Sequence, residues 1–255
     1  MKLKILGCSG GIGGKHLRTT SMLLDRDILI DAGTGVMDLS IAEMAMVDHV
    51  FITHTHLDHI ASLPLMIDPV ADRRSKPLVV YGTEAVLTIL RNHIFNWAIW
   101  PDFSEIPTPE APFMRFQSIE RGQTIDLNGR KITALPAEHT VPAVGYQLDS
   151  GAASLVFSGD TGVCVAFWRV VNRIPNLRHL IIECAFSNRE KQLALLSKHL
   201  CPEMLATELL KLERSCEILI THLKPGQIEL TMEEIETCLG EFRPKMLQNS
   251  QLIEF

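Results

Sequence analysis

The chain has 255 residues, of which 46% are hydrophobic, and this length can bury the core of the single domain that we expect over residues 1–255. Its formal charge of −6 makes long nucleic acid an unsuitable partner, because phosphates are attracted to basic surfaces. Six cysteines occur without a Cys-x-x-Cys pair, and no stretch approaches the length of a membrane span. We therefore expect a cytoplasmic protein with reduced thiols and no membrane partner.

The amino-terminal residues predict short strands joined by turns. Residues 2–6 are typical of an edge strand with outward lysines, and residues 22–24 and 28–30 predict a hairpin. The glycine-rich loop over residues 7–14 lacks the Lys-Ser/Thr end of a P-loop. It is either a flexible turn or a wall where a ligand approaches the backbone, and in the second interpretation Ser9 binds substrate.

A cluster of possible ligands follows the next predicted elements, a covering helix over residues 36–47 and a buried strand over residues 50–53. The cluster directly precedes the apolar body of a helix over residues 60–70. Its four members are His54, His56, Asp58 and His59. Imidazole and carboxylate bind zinc and similar ions, whereas their unpaired burial is costly, so the pattern favours a metal site over a solvated loop.

An aromatic segment comes after the next strand and helix. Residues 77–81 predict a buried strand, and a helix with Thr83 as its N-cap runs to about residue 94. Residues 94–103 then form the most aromatic part of the chain, which includes Trp97 and Trp100. Such a cluster packs on a core, lines a pocket or contacts a partner chain.

His139 follows a group of predicted strands. These cover residues 113–119, 124–127 and 131–135, with an Asn-Gly hairpin turn at residues 128–129. A lone histidine is more often structural than a metal ligand. Because His139 stands at a strand end, we interpret it as a ligand that joins the cluster described above.

Asp160 and His222 also stand at the ends of predicted strands. Residues 146–157 predict a hairpin that stops just before Asp160. This aspartate is either the N-cap of a helix over residues 163–171 or a bridging metal ligand. Residues 216–221 predict a last strand, and His222 ends it.

Helices are predicted in the carboxyl-terminal third, over residues 189–199, 202–213 and 231–239. Thr231 and Glu234 suggest a capping box at the start of the last helix. Three other histidines lack a strand-end context and are interpreted as ordinary polar or packing residues: His49, His93 and His199.

The pattern His-x-His-x-Asp-His between a strand and a helix resembles the metallo-β-lactamase superfamily. This resemblance implies an α/β fold, the four-layer αβ/βα sandwich, and usually two metal ions. It assigns one ion to His54, His56 and His139. It assigns the other ion to Asp58, His59 and His222, with Asp160 bridging the two. In the same superfamily an aspartate such as Asp31 orients a ligand loop, whereas a simple turn aspartate is the alternative.

Further segments resemble the class II cyclic-nucleotide phosphodiesterases. The resemblance covers most of the chain and is carried by residues 56–62, 94–103, 183–200 and 221–225. The Trp-Pro-Asp-Phe and Thr-His-Leu-Lys-Pro pieces are more specific than the histidine cluster, which occurs throughout the superfamily. The chain departs from the class II pattern at residues 64–68, which affects the substrate assignment and leaves metal binding unchanged.

Several other activities use the same ligands. Residues 139–146 are also similar to the tRNA 3′-processing endonucleases, whose long tRNA-binding arm does not fit in the 20 positions between His139 and Asp160. Flavin-linked reductases of this fold have an acid in place of His56. A lactonase or thioesterase uses the same metals, and a non-catalytic metal-bound module requires a missing ligand or a blocked cleft.

The class II resemblance implies hydrolysis of a 3′,5′-cyclic nucleotide, cyclic AMP or cyclic GMP, to the 5′-monophosphate. A metal-bridging hydroxide attacks phosphorus, and Asp58 and Asp160 are the carboxylates at the reacting centre. Zinc suits the ligands, although iron or manganese can occupy them. A nucleobase can stack on Trp97 or Trp100. The aromatic segment and the family likeness favour a homodimer.

Overall fold

The computed structural model describes residues 1–14 and 16–255. The strands, in chain order, are β1 (Lys2–Gly7), β2 (Ser21–Leu24), β3 (Ile28–Ile30), β4 (His49–Phe51), β5 (Leu78–Gly82), β6 (Met114–Ser118), β7 (Thr124–Leu127), β8 (Arg130–Pro136), β9 (Val144–Asp149), β10 (Ser154–Phe157), β11 (Leu177–Glu183), β12 (Glu217–Thr221), β13 (Lys245–Met246) and β14 (Leu252–Glu254). The helices are α1 (Ile41–Met46), α2 (Leu57–Ile60), α3 (Ser62–Ile67), α4 (Glu84–His93), α5 (Val165–Val171), α6 (Lys191–Ser197), α7 (Pro202–Leu209) and α8 (Ile228–Leu239).

The strands form two mixed sheets of seven strands each. Their spatial orders are β14-β1-β2-β3-β4-β5-β6 and β13-β12-β11-β10-β9-β8-β7. β3 to β6 run parallel in the first sheet, and β10 to β13 run parallel in the second. Parallel strands place their carboxyl ends at a common edge, and the loops at such an edge can meet.

Apolar side chains pack in three clusters, which define the layers. The central cluster lies between the two sheets and contains Phe51, Tyr146 and Phe157. The other two clusters join helices to the outer sheet faces, and they include Leu90 of α4 and Phe167 of α5. The order helix, sheet, sheet, helix confirms the predicted four-layer αβ/βα sandwich.

β1 was predicted to be an edge strand, and this prediction is wrong. β14 pairs with β1 on the outer side, in the register Lys2 with Glu254, so the carboxyl terminus provides the edge. The alternation within residues 2–6 cannot reveal this pairing, because the partner strand is about 250 positions away in the chain.

Two predicted helices are interrupted. The helix predicted over residues 36–47 is not continuous. α1 starts only at Ile41, because Ser40 and Glu43 form a capping box there. The helix after the ligand cluster breaks between α2 and α3, where Ser62 N donates to Ala32 O at 2.9 Å. This bond ties the broken helix to the loop after β3, and a 3-10 turn over Asp68–Arg73 completes the segment.

The predicted capping box of the last helix is wrong. α8 begins at Ile228, so that Thr231 lies inside the helix and donates its backbone N–H to Gln227 O at 2.9 Å. Glu234 instead accepts from the backbone N–H of Asn188 at 2.7 Å.

Among the described residues, no helix combines the length and the hydropathy that crossing a membrane requires.

Candidate metal centre

The candidate site lies where the carboxyl ends of strands from both sheets meet. In the first sheet, β3 is followed by Asp31 and β4 by His54. In the second sheet, β8 is followed by His139, β10 by Asp160 and β12 by His222. β8, β10 and β12 share one direction, so their ends project these side chains to the same edge.

Seven side chains form two groups that share one carboxylate, and within each group the four ligand atoms lie within 4.8 Å of one another. The first group is His54, His56, His139 and Asp160. The second group is Asp58, His59, Asp160 and His222. The structure thus brings together all seven side chains that were predicted as ligands, in two groups that could each hold a metal ion.

Hydrogen bonds determine which nitrogens of His54 and His59 face the shared carboxylate. Asp31 Oδ2 accepts from His59 Nδ1 at 2.7 Å and from the Thr53 hydroxyl at 2.8 Å. Since that hydroxyl proton is donated to Asp31, Thr53 Oγ1 accepts from His54 Nδ1 at 3.0 Å. In the neutral form of each ring, Nε2 is therefore the nitrogen with the lone pair, and these atoms lie 3.6 and 3.4 Å from Asp160 Oδ2.

Asp31 is therefore an orienting residue, which decides between the two interpretations of its strand-end position. We expect Asp31→Asn to weaken metal binding by about 10- to 100-fold, because the amide cannot accept from both His59 and Thr53 as the carboxylate does. Competition with a chromophoric chelator measures this affinity. Asp38→Asn is the matched control, since Asp38 is exposed and pairs with Arg18; equal affinities in the two variants would contradict the assignment.

His139 and His56 face each other across the first group. His139 Nδ1 donates to the backbone carbonyl of Lys198 at 3.1 Å, so its Nε2 has the lone pair. This Nε2 lies 3.1 Å from His56 Nδ1. Two ring nitrogens held this close, one of them an acceptor, provide a suitable setting for a cation.

Charge and burial together favour positive charge beside Asp160. Burial lowers the pKa values of His54 and His222, which keeps both imidazoles neutral and able to bind through a lone pair. Burial also lowers the pKa of His59, but the charges of Asp160 and Asp31 outweigh this and raise that pKa well above its ordinary value. Burial raises the pKa of Asp160, yet His222 and His59 hold it well below its usual range.

The unpaired atoms of the site fit two divalent metal ions. Within the two ligand groups, four buried ring nitrogens have no hydrogen-bond partner: His54 Nε2, His59 Nε2 and both nitrogens of His222. Unpaired buried polar atoms are costly, and cations would satisfy His54 Nε2, His59 Nε2 and the one nitrogen of His222 that has a lone pair. The nitrogen and oxygen donors suit zinc, iron or manganese.

The glycine-rich loop holds His222 in place. His222 has a φ of +64°, which is uncommon for a residue with a side chain, and its N–H donates to Cys8 O at 2.8 Å. Gly10 packs so closely on His222 that a Cβ at this position would lie 2.3 Å from the His222 carbonyl oxygen. Ser9 is buried in the same loop and directs its hydroxyl to Leu223 O at 3.5 Å.

We expect Gly10→Ala to displace His222 and to destabilise the fold by roughly 1–3 kcal/mol, as overpacking typically does. Thermal unfolding and the metal content of the purified chain measure the two effects. Gly240→Ala is the control, because nothing lies within 4 Å of a Cβ built there. If Gly10→Ala bound metal and unfolded like Gly240→Ala, the loop would not be positioning His222.

His199, which was interpreted as an ordinary polar or packing histidine, lies at the candidate site. Its Nδ1 lies 2.7 Å from Glu183 Oε1 in a buried pair. Its ring lies 4.9 Å from His139 and 5.2 Å from His222, so it sits between one histidine of each ligand group. Glu183 ends β11 at the same edge as Asp160, and this strand-end position was the signal that the sequence offered.

Trp97 and Trp100 are not brought to this site. α4 begins at the carboxyl end of β5, and its ten residues extend about 15 Å towards the other end of the sheet. The turn with Trp97, which is 59% exposed, follows α4, and Phe103 O accepts from Met114 N at the amino end of β6. Both tryptophans therefore lie at the edge opposite His54, which does not support base stacking at the metal centre of the same chain.

A sandwich of two sheets with paired histidine–aspartate groups at one edge defines a class of metal-dependent hydrolases. The chain belongs to the beta-lactamase superfamily domain family, whose family model matches residues 26–236.

Curated relatives include two kinds of phosphodiester-cleaving enzyme. The chain is 26% identical over 200 residues to a probable 3′,5′-cyclic-nucleotide phosphodiesterase of Yersinia pestis. This alignment covers 69% of this chain and 57% of that protein. The chain is also 28% identical over 151 residues to ribonuclease Z of Clostridium beijerinckii. This second alignment covers 56% of this chain and 47% of that protein. The matches thus span about half the length of these relatives.

The solved structure of unliganded yeast PDE1 superimposes with a TM-score of 0.83 and 16% sequence identity, over 100% of this chain and 99% of that chain. At this identity, the superposition establishes the shared fold alone.

Proposed function

We propose that the chain is a binuclear-metal phosphodiesterase that converts a 3′,5′-cyclic nucleotide, cyclic AMP or cyclic GMP, to the 5′-monophosphate. The observation that carries this proposal is the pair of ligand groups sharing Asp160, with the Glu183–His199 pair beside them. The similarity to the Yersinia pestis protein supports the choice of substrate.

The seven ligands would hold two divalent ions, for which we propose zinc, with iron or manganese as alternatives. Bound ions lower the pKa of water towards neutrality and neutralise charge on the phosphate oxygens. Asp160, which is almost fully buried, keeps the two ligand groups together. Asp58, whose side chain is 26% exposed, lies at the solvent-accessible side of the second group.

His199 is the proposed proton donor for the leaving 3′-oxygen. Glu183 Oε1 accepts the Nδ1 proton, which leaves Nε2 as the nitrogen that can serve the substrate. Burial lowers the pKa of His199, but the Glu183 carboxylate outweighs this and raises it, so the imidazolium form is favoured. The oxygen of a water molecule forms a bond to phosphorus and its proton is lost to solvent, while the P–O3′ bond breaks and the 3′-oxygen takes the Nε2 proton of His199. The Glu183 contact keeps the ring in position.

The experiment is turnover of cyclic AMP, cyclic GMP and bis(p-nitrophenyl) phosphate by metal-replete protein. We expect hydrolysis of a cyclic nucleotide to its 5′-monophosphate, loss of activity with a chelator and recovery when divalent metal is returned. Turnover of the generic diester without either cyclic nucleotide would refute the substrate and retain the phosphodiesterase class. Turnover of lactones without any diester would refute both.

A further inference from the structure

Lys224 lies two residues after His222, in the segment that closes against the glycine-rich loop. Its backbone N–H donates to Ala185 O at 3.2 Å, and Gly10 N donates to Leu223 O at 3.0 Å. The Lys224 ammonium donates to Gly10 O at 2.6 Å. These bonds hold the ammonium between the glycine-rich loop and the segment that follows β11.

The Lys224 ammonium and His199, the proposed proton donor, both lie close to the ring of Phe186. Lys224 Nζ lies 5.8 Å from the centre of the Phe186 ring, and that ring lies 5.6 Å from the ring of His199. His199 in turn stacks on the ligand His222 at 5.2 Å. Lys224 therefore contributes a positive charge to the rim of the metal centre.

The charge of Lys224 is not neutralised within the described part of the chain. Its ammonium has three protons, of which Gly10 O accepts one, and no described carboxylate lies within 4.0 Å of it. Lys198, by contrast, pairs with Glu138 at 2.5 Å. Lys224 is half-buried, so it is a partly desolvated cation with two N–H groups available for an anion.

We infer that Lys224 binds an anionic oxygen of the substrate phosphate and makes the site selective for phosphate esters over neutral carboxylic esters and lactones. An ammonium is a point charge that forms charge-assisted hydrogen bonds with phosphate oxygens, whereas a neutral ester offers no full negative charge. The inference rests on the proposed function, since it concerns the substrate class of the same site.

The test is titration of metal-replete protein with inorganic phosphate by calorimetry, for the natural chain and three variants. Lys224→Gln retains a donor for Gly10 O without the charge, Lys224→Met removes both, and Lys224→Arg retains both. We expect the Kd of phosphate to rise about 10- to 100-fold in Lys224→Gln and Lys224→Met, as for loss of a hydrogen bond to a charged group. Lys224→Arg should stay within about threefold of the natural chain.

Lys191→Met is the matched control, because Lys191 is paired with Glu203 on the surface. Its phosphate affinity should be unchanged. An equal affinity in Lys224→Gln and the natural chain would overturn the inference and leave Lys224 as an anchor of the loop. Loss of bound metal in every Lys224 variant would also overturn it. Phosphate binding needs no turnover, so this result is independent of whether cyclic nucleotides are hydrolysed.

Activity supplies a second readout. In Lys224→Met the ratio of kcat/KM for bis(p-nitrophenyl) phosphate to kcat/KM for p-nitrophenyl acetate should fall about tenfold or more, mainly through KM for the diester. An unchanged ratio would contradict selection by charge.

Discussion

Asp160→Asn is expected to lower diester hydrolysis by about 10³-fold or more, because one neutral amide replaces the anion that two metal ions share. Asp160 faces both groups: Oδ2 lies 3.6 Å from His54 Nε2 of the first group, and Oδ1 lies 3.3 Å from His222 Nδ1 of the second. We also expect the metal content to fall from two ions per chain to one or none. Elemental analysis and steady-state assays measure these two effects.

Asp72→Asn is the control for this variant, since it removes the same charge from an exposed position. It should keep two ions per chain and the activity of the natural protein. An Asp160→Asn chain that retained both ions and most of its activity would show that the shared carboxylate is not a bridging ligand.

His199→Gln is expected to have the second largest effect, and the effect should depend on the leaving group. Hydrolysis of a cyclic nucleotide should fall by about 10²- to 10⁴-fold, because its alkoxide leaving oxygen needs the proton. Hydrolysis of bis(p-nitrophenyl) phosphate should fall by less than about tenfold, because p-nitrophenolate leaves without protonation. The ratio of kcat for the two substrates measures the difference.

Two further variants test whether a change in this kcat ratio is specific to His199 and its partner. Glu183→Gln should shift it in the same direction, since Glu183 acts by holding the ring of His199. His93→Gln should leave it unchanged, because His93 is exposed at the end of α4. Equal losses on both substrates in His199→Gln would indicate damage to the metal centre, and the role as proton donor would be refuted.

Much of the metal centre was predictable because its information is local. His54, His56 and His59 occur within six positions after a β-branched strand, and few other arrangements of such residues are physically favourable. Turn chemistry is equally local: the Asn-Gly pair at residues 128–129 adopts φ values of +58° and +84° between β7 and β8, as predicted for this hairpin.

The pairings that complete the site were not predictable from local patterns. Glu183 and His199 are 16 positions apart, at no spacing that marks a common helix face or strand face. The contact of Lys224 with Gly10 joins residues 214 positions apart. Hydrophobic periodicity reports which face of an element is buried, but it does not report which distant segment covers that face.

The amino-acid sequence by itself indicated the class of fold and seven candidate ligands, because the His-x-His-x-Asp-His motif between a strand and a helix, and the strand ends before His139, Asp160 and His222, are local patterns. The division of these candidates into two groups was implied by the family resemblance. Only the tertiary structure decided which groups surround the ligands. It placed Asp31 behind His59, moved His199 from a packing role into the site, and carried Trp97 to the opposite edge of the sheet. The physical reason is that the direction and order of strands in a sheet, set by packing between distant segments, determine which loops meet.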